Sequence, residues 1–159
     1  MADLAVDLLI NNAGVYGPRD DTKKVAFDRW GEVFEVNTIA PLRVAQRFLE
    51  QVARSERKLI VNISSRMGSI GDNTGGGEYI YRSSKAALNM VVKSLSVDLA
   101  GRGVTVVAFH PGWVQTDMGG PSAVITPEES VAGMRAVIEG LTPADTGRFL
   151  NYDGSEIPW

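Results

Sequence analysis

One stretch constrains the fold more than any other. Over residues 59–99 an apolar strand (Leu59, Ile60, Val61, Asn62, Ile63) runs into Ser64-Ser65. A glycine-rich loop follows, then a long helix that opens Tyr81-Arg82-Ser83-Ser84-Lys85. Tyr81, Lys85, Leu88, Val92, Leu95 and Leu99 recur at steps of three or four and share one helical stripe, which must face the sheet. A lysine and a tyrosine on such a stripe are costly to bury without partners. The economical arrangement turns the first helical turn toward a cleft, where the lysine charge would lower the tyrosine pKa and ready it for proton transfer.

The flanking chain repeats this unit. Residues 5–10 (Ala5-Val6-Asp7-Leu8-Leu9-Ile10) read as a strand buried on both faces, closed by Asn11-Asn12-Ala13-Gly14. A helix is predicted from about Asp28, with an inward stripe of Trp30, Val33, Phe34, Val44 and Phe48 that also carries Asn37 and Pro41. Pro41 has no amide proton, so the carbonyl of Asn37 should lose its helical partner and the helix should bend. Asn37 is then either a tolerated core asparagine beside a kink or part of a site. The loop at residues 66–78 holds five glycines but no P-loop ending, and reads as a mobile loop. A third strand (residues 104–109) leads to His110-Pro111-Gly112. Residues 115–124 read as a flexible lid. Thr126-Pro127-Glu128-Glu129 is a capping box opening a helix to about Gly140, and a last strand at residues 148–152 precedes a polar tail ending in Trp159.

Strands alternating with helices imply parallel strands with right-handed crossovers, an α/β fold of about four strands with helices on both faces. Ligands in such sheets bind beyond the carboxyl ends of the strands, where Asn11 to Gly14, Ser64-Ser65 and Pro111-Gly112 all fall. With 159 residues, 44% of them hydrophobic and 22% charged, the chain is expected to form one soluble domain spanning residues 1–159. A net charge of −3 with scattered basic residues argues against nucleic-acid and membrane partners. There are no cysteines and one histidine, which leaves no thiolate or histidine cluster for a metal and makes the cytoplasm the default compartment. No apolar run approaches spanning length, and the start Met1-Ala2-Asp3-Leu4 lacks the basic residues of a signal peptide.

Taken in order, Asn11-Asn12-Ala13-Gly14, Asn37, Ser65, Tyr81 with Lys85, and Pro111-Gly112 followed by Thr116 resemble the landmarks of the classical short-chain dehydrogenases/reductases. The run Asn62 to Ile70 and the ending Asp153 to Trp159 are similar to the family's branch of C-factor and sniffer-type carbonyl reductases. The resemblance implies a doubly wound Rossmann-type sheet and NADP- or NAD-dependent hydride transfer between the cofactor and a small-molecule carbonyl or alcohol. It assigns Tyr81 as general acid/base, Lys85 to the tyrosine's pKa and the nicotinamide ribose, Ser65 to the substrate oxygen, and Asn37 to a proton-relay water. Asn11, Ala13 and Gly14 would line the cofactor's path, and Pro111, Gly112 and Thr116 would contact the nicotinamide.

Each role has a rival. Ser64 could face the cleft in place of Ser65, although the family register favours Ser65. Tyr79 lacks a lysine four residues on. His110 reads as structural, because no Gly-x-Ser-x-Gly elbow accompanies it. Trp113 either lines the substrate pocket or packs under the lid.

The family's N-terminal Thr-Gly-x-x-x-Gly-x-Gly signature is not in this sequence, which begins where the family's fourth strand begins. The expectation is therefore the C-terminal part of the fold, with the first strand left at an open edge and apolar helix surface uncovered. Such a chain either works as an oxidoreductase or serves as a non-catalytic interaction protein. The resemblance implies a homo-oligomer through the helices near residues 28–54 and 79–101.

Overall fold

The computed structural model describes residues 4–159; the first three residues, and with them most of the start read for a signal peptide, lie outside the described residues. Four strands, β1 (Leu8–Asn11), β2 (Leu59–Ile63), β3 (Thr105–His110) and β4 (Phe149–Asn151), form one sheet in that spatial order, every neighbouring pair parallel. Leu8 pairs with Leu59, Leu59 with Thr105, and Ala108 with Phe149, so the carboxyl ends of the first three strands are level.

Alternation along the strands sends side chains to two separate cores. Ile60, Val106, Ala108 and Phe149 pack with Leu88 and Val92 of α3 (Tyr79–Asp98) and with Ala45 and Val52 of α2 (Ala40–Ala53). On the other face Leu59, Val61, Val107, Phe109 and Leu150 pack against Ile138 of α4 (Pro127–Gly140). The fold is thus the expected α/β arrangement with helices on both faces. The capping box forms as read: Thr126 Oγ1 accepts from the Glu129 amide and Glu129 Oε2 from the Thr126 amide.

Three local readings need correction. First, the proline does not simply kink a helix. Between α1 (Phe27–Phe34) and α2 lies a π-helical turn, Glu35–Ile39, in which the Ala40 amide reaches back five residues to the Glu35 carbonyl. This wider turn accommodates the missing donor of Pro41 and adds one residue to the helical register. Val44 and Phe48 are therefore exposed, and Ala45, Leu49 and Val52, each shifted along the chain, face the sheet instead. Second, β1 is not buried on both faces. It forms the sheet edge among the described residues, and its Ile10 is 46% exposed. Third, the C-terminal tail is not merely polar. Ile157 is buried, the Trp159 ring stacks on Phe149, and the Trp159 carbonyl accepts the amides of Ile70 and Gly71. The first half of the glycine-rich loop is thereby pinned, and the Cα of Gly68 sits against the backbone of Lys85, where a Cβ would lie 2.8 Å from the Lys85 carbonyl carbon.

Candidate active site

A cleft of about 470 Å³ opens beyond the carboxyl ends of β2 and β3, lined among others by Ser65, Tyr81, His110, Gly112, Trp113 and Thr116. The elements explain why these side chains meet. β2 ends at Ile63, and the Ser64 amide still bonds the Phe109 carbonyl, 2.7 Å away, so the two serines leave the sheet on a fixed course. Ser64 Oγ then donates to Asn89 Oδ1 at 2.6 Å, inside the core. Ser65 Oγ accepts the Met67 amide, and its interaction with Tyr81 pulls that phenol's pKa down. The hydroxyl beside the tyrosine therefore belongs to Ser65, with Ser64 committed elsewhere. Tyr79 lies outside this cleft and lines a separate shallow groove with Arg82 and Ile70.

Tyr81 and Lys85, one turn apart on α3, are both buried. Burial pushes the Tyr81 phenol above its usual value, outweighing Ser65, and the nearby Tyr16 adds to the rise. Burial brings the Lys85 ammonium down to about 8. Lys85 Nζ donates to the Ile63 carbonyl at 3.0 Å and stands 5.9 Å from the Tyr81 ring centre. The lowering of the tyrosine pKa by lysine, expected from the sequence, is not what governs Tyr81 here. Desolvation dominates.

Asn37, wholly buried, uses its amide on three partners. Its Oδ1 accepts the Val15 amide, and its Nδ2 donates to the Val15 carbonyl and to Ser84 Oγ. Asn37 thus joins the segment after β1 to the second turn of α3, and Thr38 Oγ1 adds a bond to the Ser84 carbonyl. Asn11 Nδ2 donates to Asn62 Oδ1 across the strands and to the Pro41 carbonyl. Ala13 is exposed beyond the strand end. Gly14 is half-buried, and a Cβ there would lie 3.4 Å from both Lys85 Nζ and Asn37 Oδ1. The Pro111 carbonyl accepts Ser130 Oγ, which anchors the turn to α4. Gly112 has φ 88°, and a Cβ on it would meet Ile125 Cδ1 at 2.3 Å, so both the backbone and the space demand glycine. Thr116 Oγ1 accepts the Gly119 amide.

Sequence reasoning missed two residues. Asp20 lies far from α3 in sequence, yet its carboxylate accepts the first amides of that helix, from Tyr79 at 2.5 Å and Ile80 at 3.1 Å. Such a cap satisfies orphan donors and favours the positive end of the helix dipole, but no local spacing announces it. The second is Tyr16, whose ring stacks on Tyr81 with centres 4.3 Å apart.

A buried lysine with one acceptor has further donors to satisfy. The Nζ donors left beyond the Ile63 bond have the chemistry that a ribose hydroxyl of a nicotinamide dinucleotide accepts, and Gly14 puts no side chain against Nζ.

His110 lines the same cleft, and burial, aided by the Arg66 charge, brings its imidazole pKa down to about 4. In the unfolded chain the ring takes a proton near 6.5, so acid favours unfolding through this group. His110 should contribute nothing to the pH dependence above about 6.5 and should lower stability by up to about 3 kcal/mol as pH falls toward 4. Being the only histidine, it gives a single imidazole signal in a proton NMR titration. A midpoint near 6.5 in the folded protein would refute the assignment.

The model of the family described as short chain dehydrogenase matches residues 4–123. The chain is 48% identical over 154 residues to the C-signal of Myxococcus xanthus, covering 97% of this chain and 93% of that protein. It superposes on the carbonyl reductase Sniffer of D. melanogaster with a TM-score of 0.95 at 38% identity, over 99% of this chain and 68% of that one. An NADPH-bound carbonyl reductase from chicken fatty liver gives a TM-score of 0.91 at 39% identity, over 99% and 67% of the two chains.

Proposed function

Because the chain belongs to the short chain dehydrogenase family, we propose that it is an NADP- or NAD-dependent oxidoreductase acting on a small carbonyl or alcohol, with Tyr81 as general acid/base. One observation carries this reading: Ser65 and Tyr81, from two separate elements, meet in one cleft at the carboxyl end of the sheet, with the buried Lys85 one helical turn behind Tyr81 and bonded to the Ile63 carbonyl. The NADPH-bound relative supports the choice of cofactor class.

When bound, a nicotinamide dinucleotide supplies or accepts the hydride. Lys85 Nζ would hold the ribose hydroxyls through donors not used by Ile63, with Gly14 leaving room for their approach. Pro111, Gly112 and Thr116 would contact the nicotinamide, and Asn11 and Ala13 would line the cofactor's path. Ser65 Oγ would donate to the substrate oxygen and orient it toward Tyr81. In reduction the phenolic O–H would give its proton to that oxygen as the C=O π bond opens to a C–O single bond, leaving a tyrosinate; in oxidation the tyrosinate would take the alcohol proton back. Tyr81, kept neutral by burial, suits the reducing direction near neutral pH. Asn37 would act by fixing Val15 and Ser84 around this centre, since its own amide is already bonded at both ends. The cleft walls contributed by Tyr16, Met67, Trp113 and Met118 are aromatic or apolar, which fits substrates of that character.

A second reading is association without turnover. It is favoured by the match to C-signal over nearly that protein's whole length and by apolar side chains exposed on α1 and α3, Phe27 at 72%, Met90 at 66% and Val97 at 67%. The same helices would carry a homo-oligomer in either case.

Titration of the purified chain with NADPH and NADH, followed by cofactor fluorescence and then by turnover of aromatic aldehydes, separates the two. Saturable binding with turnover is the expected result. A folded chain that binds neither cofactor would leave the interaction role standing alone.

A further inference from the structure

The contact between Tyr16 and Tyr81 is built, not incidental. The rings lie 4.3 Å apart and 17° from parallel. Tyr16 is held on both sides in sequence: Val15 has its amide and carbonyl bonded to Asn37, and Asp20 caps α3 while its carbonyl accepts the Glu78 amide. Between these anchors Gly17 turns the chain at φ 77°, where a Cβ would strike Val33 Cγ2 at 2.7 Å. The Tyr16 hydroxyl points to Met67 Sδ, and the Arg19 guanidinium sits 5.2 Å from the ring centre while pairing with Glu78. Three contacts thus fix the ring, from Tyr81, Met67 and Arg19, within a segment that is itself anchored at Val15 and Asp20.

We propose that Tyr16 is a positioning residue for the reaction, a clamp whose ring covers one face of Tyr81, excludes water from it and holds the phenol aimed at Ser65. The inference rests on the role given to Tyr81 above. Stacked aromatic pairs are favourable beyond the area they bury, so the clamp restricts the tyrosine at little cost. The charged groups around the pair are Arg19 and Asp20 on the same segment and Glu78, Arg82 and Lys85 on or beside α3. None of them replaces the ring as a barrier to water. The Tyr16 phenol is itself raised by burial and by Glu78, so it stays a neutral wall across the working pH range.

Two variants test this, Tyr16→Leu and Tyr16→Phe. For each, kcat and KM for aldehyde reduction are measured against pH with NADPH. Ionisation of Tyr81 is followed separately by ultraviolet difference titration, using Tyr81→Phe to assign its signal. In Tyr16→Leu we expect kcat to fall at least about tenfold with KM changed less, because a loosened acid is misaligned. The Tyr81 ionisation should move to lower pH as water reaches the ring. Tyr16→Phe keeps the ring and should restore both. Wild-type kcat and an unmoved Tyr81 ionisation in Tyr16→Leu would overturn the proposal, and Tyr16→Met serves in its place if the leucine variant does not fold. If the unaltered protein turns over no carbonyl yet Tyr16→Leu still shifts Tyr81, the catalytic reading fails and the clamp stands.

Discussion

Tyr81→Phe should abolish carbonyl reduction, lowering kcat by about 10²–10⁴-fold, while leaving NADPH affinity unchanged. The substitution removes one oxygen and nothing else that the structure uses. Phenylalanine keeps the aromatic face that stacks on Tyr16. It does not disturb the bond from Lys85 Nζ to the Ile63 carbonyl, and so leaves in place the ammonium proposed to hold the ribose. Nor does it touch the Asp20 cap, which binds backbone amides of Tyr79 and Ile80. What disappears is the proton donor beside Ser65, so the loss should fall on kcat. Fluorescence titration for binding and single-turnover assays for chemistry check the two halves separately. Near-normal turnover in the variant would show that the proton comes from another group.

Phe109→Ala should be the most damaging single change to the fold, costing about 3–5 kcal/mol. Phe109 is fully buried in the core shared by Leu59, Val61, Val107, Leu150 and Ile138 of α4. β3 lies inside the sheet and cannot move to fill the void. The Phe109 carbonyl also accepts the Ser64 amide, which ties this part of the core to the serine pair at the cleft. Domains of this size are commonly stable by about 5–15 kcal/mol, so the variant should be marginal or unfolded at ambient temperature. A urea midpoint within experimental error of wild type would mean that the residue is not buried as described.

How legible all this was depends on how local the signal is. Strands such as Ile60-Val61-Asn62-Ile63 and Val106-Val107-Ala108-Phe109 announce themselves because a central parallel strand is apolar on both sides. Thr126 and Glu129 reveal a helix start because the cap and its partner lie three residues apart. Tyr81 and Lys85 stand out by the same logic, one helical turn apart on an otherwise apolar stripe, and both are buried. The failures are non-local. Val44 and Phe48 fit a uniform 3.6-residue repeat, and nothing in that repeat reveals a turn one residue wider. Asp20 reaches α3 across 59 residues, and Tyr16 reaches Tyr81 only because two distant anchors place it. The return of Ile157 and Trp159 to the sheet depends on Phe149, Ile70 and Gly71, which only the tertiary fold brings near. Desolvation of Tyr81 likewise follows from its neighbours in space, so its direction could not be read from Lys85 alone.

The π-helical turn at Glu35–Ile39 has a consequence for how this protein tolerates change in length. Upstream of it Val33 faces inward, and within it Asn37 and Thr38 grip Ser84; downstream, Ala45 and Val52 face the sheet. Two jobs with different phases are thus reconciled by one surplus residue. Deleting a single residue there would rotate everything after it by about 100° relative to everything before, since each helical residue advances by that angle. Either the grip on α3 or the packing on the sheet would be lost, though no side chain lining the cleft had been altered. The turn behaves as a phase shifter, and its length matters to the candidate site as much as any side chain in it.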